Sequence, residues 1–280
     1  MSRDQTIGTV TLRDGAQLGY TLTRSGAPDA PRLVLLHTLA LDRTIWDPLI
    51  ALLPEFDVLA YDARGHGVSA KTPGPYTAEQ FADDLADLLA AVGWERAIVL
   101  GASMGGSVAM QFAVMYPAVV EALGLVDTTA WYGVDAPTTW AARAAKAATD
   151  GFASMVPFQE TRWFSDAFRA AHPEIVARTS SIFLRSDLAA YTALCDMLGR
   201  FDGRSALTGL TMPVEILVGE EDDATPVDMS QELERLIPGS YLTIVPNVRH
   251  LTIIEIPASS AALVRTLVAR TMGQVVAHQR

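Results

Sequence analysis

The sequence predicts an α/β fold: a mostly parallel central sheet with helices on both faces and a helical cap inserted late in the chain. Three observations carry that expectation. Short continuous β-type runs, the mark of strands covered on both faces, alternate with amphipathic helical stretches over 32–126 and resume at 214. One of these runs passes through Gly101-Ala102-Ser103-Met104-Gly105 straight into a helical pattern. Between Thr128 and about Arg200 there is no convincing strand.

Thr9 to Leu12 and Leu18 to Thr23 alternate polar and apolar residues around Asp14-Gly15, which predicts an antiparallel hairpin at a sheet edge. Arg32 to Leu36 reads as a buried strand ending in the loop His37-Thr38-Leu39-Ala40. Loops at the carboxyl ends of such strands form ligand sites. Ile45 to Leu53 predicts a helix stopped near Pro54, and Phe56 to Tyr61 a strand that turns away at Asp62-Ala63-Arg64-Gly65-His66-Gly67. Thr77, with Gln80 three residues on, is an N-cap candidate for a helix to Val92, with Phe81, Leu85, Leu88 and Leu89 on its apolar face. Arg96 to Leu100 and Ala122 to Val126 read as strands flanking a helix through Ser107 to Met115. Val214 to Val218 and Leu242 to Val245 complete the sheet, followed by a helix from Ala258 to Met272 and a frayed tail to Arg280. Residues 1–128 and 201–280 thus form the core, and 129–200 a cap of several short helices.

A formal charge of −11 argues against nucleic acid or an anionic membrane as partner. The cap, with seven Lys and Arg against seven Asp and Glu over 131–200, is neutral, so the excess sits on the core. The single cysteine, Cys195, has no internal partner, and Met1-Ser2-Arg3-Asp4-Gln5 lacks the apolar stretch of a secretory signal. A cytoplasmic protein acting on a small molecule is the expectation. Assembly into a homo-oligomer is compatible with the sequence but not dictated by it.

The chemistry starts at Ser103. A serine exposed above a sheet needs a sharp strand-to-helix turn with small neighbours, which Gly101 and Gly105 supply. The helix that follows aims its N-terminal amides at the serine, so the Met104 N–H can face a developing oxyanion. A hydroxyl nucleophile also requires a base, and the base an acid that fixes its tautomer. Of five histidines, His278 lies in the tail and His172 in the cap, while His37 and His66 sit where they support loops. His250, in the loop after the last strand, is the expected general base. For the acid, Asp222 and Asp223 follow a strand end at Gly219, and Asp127 ends another. The order Ser, Asp, His fits one scaffold in particular.

These residues make the chain resemble the α/β-hydrolases, and within them the 3-oxoadipate enol-lactonases. The resemblance is carried by Leu36 to Asp42 with Trp46-Asp47-Pro48, Tyr61 to Ser69, Thr72 to Tyr76, Gly101 to Gly106, Trp140 to Arg143, Arg162-Trp163-Phe164 and Gly219 to Pro226. It implies Ser103 as nucleophile, Asp222 as acid and His250 as base, with the amides of Leu39 and Met104 as oxyanion donors. It also implies Thr38, Trp140, Arg143 and Trp163 as substrate contacts. Two positions depart from the pattern: Thr38 and Ala40 stand where relatives commonly have smaller residues, and Arg249 where they have a small one before the histidine. A cation aimed at the imidazole would oppose its protonation, so Arg249 is expected to point away.

The expected activity is hydrolysis of a small lactone or ester through an acyl-enzyme, with neither metal nor organic cofactor. If the substrate carries a carboxylate, cap arginines are where it would be held. A carbon–carbon bond hydrolase acting on a vinylogous diketone would use the same three residues. A non-catalytic small-ligand receptor is the reading from another class.

Overall fold

The computed structural model describes residues 3–278. β1 (Gln5–Thr11) and β2 (Gln17–Thr23) pair antiparallel from Gln5↔Thr23 to Thr11↔Gln17. The hairpin starts earlier than the expected Thr9, at Gln5, since Gln5, Thr6 and Ile7 are exposed and carry no alternation of burial to announce the strand. β3 (Arg32–Leu36) leads to a 3-10 turn (Arg43–Trp46) that runs into α1 (Asp47–Ala51). This helical stretch opens ahead of Ile45 because Asp42 caps it, accepting from the Thr44 N–H at 3.0 Å. β4 (Asp57–Tyr61) follows, then α2 (Ala78–Ala91), whose cap Thr77 accepts from the Gln80 N–H at 3.1 Å. β5 (Ala97–Ala102), α3 (Met104–Met115) and β6 (Val120–Val126) continue the alternation.

Four helices then fill the stretch expected as a cap: α4 (Ala136–Trp163), α5 (Asp166–Ala171), α6 (Pro173–Phe183) and α7 (Leu188–Arg200). The first is not short. The alanine-rich run from Ala141 to Ala148 favours helix at nearly every position, and only Gly151, at φ 73° and ψ 162°, breaks α4 into two segments. After α8 (Arg204–Leu207) the core resumes with β7 (Val214–Gly219), α9 (Val227–Leu236), β8 (Tyr241–Val245), α10 (Thr252–Glu255) and α11 (Pro257–His278). Helix α11 passes the expected end at Met272, and what remains of the expected frayed tail, 279–280, lies outside the described residues.

The strands lie in the order β1-β2-β4-β3-β5-β6-β7-β8, with β2 alone running against the rest. Successive side chains point to opposite faces. Val34, Leu36 and Val99 join Phe81, Leu85 and Val108 in one core, while Leu33, Leu35 and Leu100 join Trp46, Leu49, Val264 and Leu267 in the other. β3 pairs with β4 on one side and β5 on the other, so the winding reverses there and a crevice opens at their carboxyl ends. The 37–40 loop and Ser103 stand at that crevice. No helix among the described residues is long and apolar enough to cross a membrane.

Candidate active site

With β5 ending at Ala102 and α3 starting at Met104, one residue has to reverse the chain. Ser103 does so at φ 53° and ψ −121°, a conformation that costs an L residue about 1–3 kcal/mol. Its surroundings enforce it. The Ser103 N–H donates to the Val126 carbonyl at 2.9 Å, and its carbonyl accepts from Gly106 N–H at 2.8 Å, Ser107 N–H at 3.1 Å and the Thr128 hydroxyl at 2.7 Å. The turn also explains its glycines: a Cβ at Gly101 would run into the Gly105 carbonyl, and one at Gly105 into the Leu36 carbonyl.

His250 lies across from the serine, its Nε2 3.0 Å from Ser103 Oγ and its Nδ1 2.8 Å from Asp222 Oδ2. Asp222 also accepts from the N–H groups of Ala224 at 2.7 Å and Thr225 at 3.0 Å, and from the Thr225 hydroxyl at 2.8 Å. Burial alone would push its pKa up, but His250 and the Thr225 donors outweigh that and hold it below the usual value. Asp223 is exposed, and contributes only its carbonyl, to Arg162 at 3.4 Å. Asp127 is buried away from the histidine ring. It accepts from Gly219 N–H at 3.1 Å and from the Thr252 N–H and hydroxyl at 2.9 and 2.8 Å, tying the strand end before Asp222 to the segment after His250. Burial first, and Asp222 second, push the Asp127 pKa well up.

Across the crevice, the N–H groups of Leu39 and Met104 donate to no protein acceptor among the described residues. Ala40 adopts φ 61°, a left-handed conformation natural to glycine, and keeps it because its N–H donates to His66 Nε2 at 3.0 Å. Arg249 points neither at the imidazole nor into open solvent; its Nη1 donates to the carbonyls of Thr161 at 2.7 Å and Phe164 at 3.2 Å in the cap.

Ser103 and His250 open onto a cavity between the strand ends and the 136–163 helix. Thr38, Trp140, Arg143 and Trp163, the four expected substrate contacts, all line it. So do Tyr132, Gln159, Arg162 and Thr225, which sequence reasoning did not single out. Tyr132 had a signal, since it follows the carboxyl end of β6; Gln159 had none. The Thr38 hydroxyl, Gln159 Oε1 and Arg162 Nε have no hydrogen-bond partner among the described residues. Neither Arg143 nor Arg162 forms an ion pair among the described residues; Arg162 donates at 3.4 Å to the Asp223 carbonyl. Arg143 donates to the Tyr191 hydroxyl at 2.8 Å and lies over the Trp140 ring, 5.3 Å from its centroid. Burial, and then the nearby Arg143, pull the Arg162 pKa below its ordinary value. The cavity therefore holds two guanidinium groups, with Asp222 and Asp223 near enough to act on Arg162 but in no ion pair with it among the described residues.

The chain is 29% identical to 3-oxoadipate enol-lactonase 2 of Acinetobacter baylyi over 263 residues, covering 94% of this chain and 96% of that protein. The solved enol-lactonase of Burkholderia xenovorans superposes with a TM-score of 0.89 at 29% identity, over 94% of this chain and 100% of that one. A thermophilic esterase of Thermogutta terrifontis, solved with malate bound, gives 0.86 at 27% identity over 95% and 99%. A model of the alpha/beta hydrolase family matches residues 33–265. With its sheet order, its strained serine turn and that match across most of its length, the chain belongs to the alpha/beta hydrolase family.

Proposed function

We propose that this protein is a serine hydrolase that cleaves a small lactone or ester bearing a carboxylate, with 3-oxoadipate enol-lactone as the first candidate. One observation carries the reading: the hydrogen-bonded set Ser103–His250–Asp222 opens onto a cavity lined by two guanidinium groups, Arg143 and Arg162, neither of which forms an ion pair among the described residues. Ser103 Oγ attacks the carbonyl carbon as its proton passes to His250 Nε2. Asp222, accepting at Nδ1, holds the tautomer and stabilises the imidazolium. The oxyanion meets the Leu39 and Met104 amides at the positive end of α3. His250 then protonates the leaving oxygen. In a lactone that oxygen stays on the acyl chain, so the opened product leaves only when water, deprotonated by His250, cleaves the acyl-enzyme. Arg143 and Arg162 present planar donors suited to a carboxylate, and the likeness to enol-lactonases supports that choice.

The test follows ultraviolet loss of 3-oxoadipate enol-lactone with wild type, Ser103→Ala and Arg162→Leu, beside p-nitrophenyl acetate. Ser103→Ala is expected to lose both activities, and Arg162→Leu to raise KM for the lactone by about tenfold while sparing the neutral ester. If wild type cleaves the aryl ester through Ser103 but leaves the lactone intact, the lactone assignment is wrong and other esters and vinylogous diketones become the candidates.

A further inference from the structure

Helix α4 ends in an unusual way. The last carbonyls of a helix have no partner within it, and here the loop that carries His250 supplies several. Arg249 Nη1 takes the Thr161 and Phe164 carbonyls, and the Leu251 N–H takes that of Trp163 at 3.0 Å. A guanidinium is also the right charge for the negative end of a helix dipole. Its other contacts, Asp166 at 3.0 Å and Glu221 at 3.4 Å, come from the cap and from the acid's loop. Glu255, a few residues on, accepts from the Ser165 N–H at 3.1 Å and bonds the Ser165 hydroxyl. The helix end closed in this way carries Gln159, Arg162 and Trp163 into the cavity.

We infer that Arg249 is a positioning residue for substrate selection: by closing the carboxyl end of α4 on the base's own loop, it sets the pocket wall that holds Arg162 and Trp163. The wall and the base are thereby registered to each other, which a small residue before the histidine does not achieve. Arg249 itself touches neither the reacting atoms nor the imidazole. Only the choice of a charged substrate rests on the function proposed above.

The experiment compares wild type with Arg249→Ala by amide hydrogen exchange and on two aryl esters that differ in charge, p-nitrophenyl acetate and mono-p-nitrophenyl adipate. The Leu251 amide is expected to exchange about tenfold faster or more in the variant, because the helix end it caps is released. KM for the charged ester should rise by about tenfold, while kcat on the neutral ester changes by less than about twofold. Unchanged exchange overturns the inference, as does an equal loss of kcat on both esters, which would place the effect of Arg249 on His250 instead. If wild type shows no preference for the charged ester and Arg162→Leu is silent, the carboxylate reading has failed. The exchange rate then decides the role of Arg249 by itself.

Discussion

His37 and His66 hold each other's loops. His37 Nε2 accepts from the Ala63 N–H at 2.9 Å, and His66 Nε2 accepts from the Ala40 N–H at 3.0 Å. The other nitrogens face carbonyls, Thr38 at 2.8 Å and Arg64 at 3.1 Å, so each neutral ring carries its proton on Nδ1. An imidazolium has no acceptor nitrogen, and protonating either ring would release a loop next to Leu39.

Acid sensitivity follows from that pair. Burial pulls both pKa values below the ordinary 6.5. The unfolded chain binds these protons near pH 6.5 and the folded chain only at lower pH, so their contribution is complete above 6.5 and shrinks as pH falls beneath it. Urea midpoints measured from about pH 8 down to about pH 5 should show that decline. His66→Phe should lose roughly 1–3 kcal/mol at about pH 8 and show a shallower acid slope. A variant with the wild-type profile would contradict the reciprocal clamp.

Ser103→Gly should separate strain from chemistry. Glycine adopts the turn conformation freely, so thermal unfolding is expected to shift upward, by the equivalent of about 1 kcal/mol. Turnover should fall by several orders of magnitude. A lower melting temperature would mean that the serine side chain contributes more to folding than its backbone costs.

The three aspartates should separate cleanly. Asp222→Asn is expected to lower kcat by about 10⁴-fold, since it strips the histidine of its acceptor at Nδ1. Asp223→Asn, on the exposed side, should stay within about twofold of wild type. Asp127→Asn places an amide donor among three donors and should cost roughly 1–3 kcal/mol of stability by urea titration. Because Asp222 is held below the usual carboxylate value, its share of stability is present above about pH 4 and disappears as the pH falls through its lowered pKa.

Arg64 and Asp84 form a buried bidentate pair, with Nε to Oδ2 at 2.9 Å and Nη2 to Oδ1 at 2.7 Å, joining the second loop to α2. Asp84→Leu alone should cost up to about 3–5 kcal/mol, with Asp14, 2.8 Å from Arg64 Nη2, offsetting part of it, and Arg64→Met with Asp84→Leu less. Denaturant titration of the single and double variants checks this, and equal losses would rule out an uncompensated charge as the cause.

The core strands were legible because each is a short apolar run with punctuation at its ends, Arg32 to Leu36 being the clearest. The serine turn was legible because its glycines answer a steric demand. α8, α9 and α10 were not foreseen, and α4 was expected in pieces: a helix rich in alanine gives little periodicity to read. Residue types alone left Asp222, Asp223 and Asp127 open and the family resemblance pointed to Asp222, the one of the three that hydrogen-bonds His250 Nδ1. Arg162 was expected only as one of the cap arginines and not as a named substrate contact, because an arginine on a helix looks the same whether it faces water or a cavity.

The break at Gly151 leaves the pocket with two walls of unequal independence. Trp140 and Arg143 stand on the segment before it, resting on α7 through Tyr191, whereas Gln159, Arg162 and Trp163 stand on the segment bound to the histidine's loop. A substitution on the first segment alters what fits independently of the His250 loop; one on the second acts on a wall that shares its hydrogen bonds with that loop. Inheritance can therefore experiment on residues 136–150 at low risk, and new specificities in descendants of this chain should arise there first.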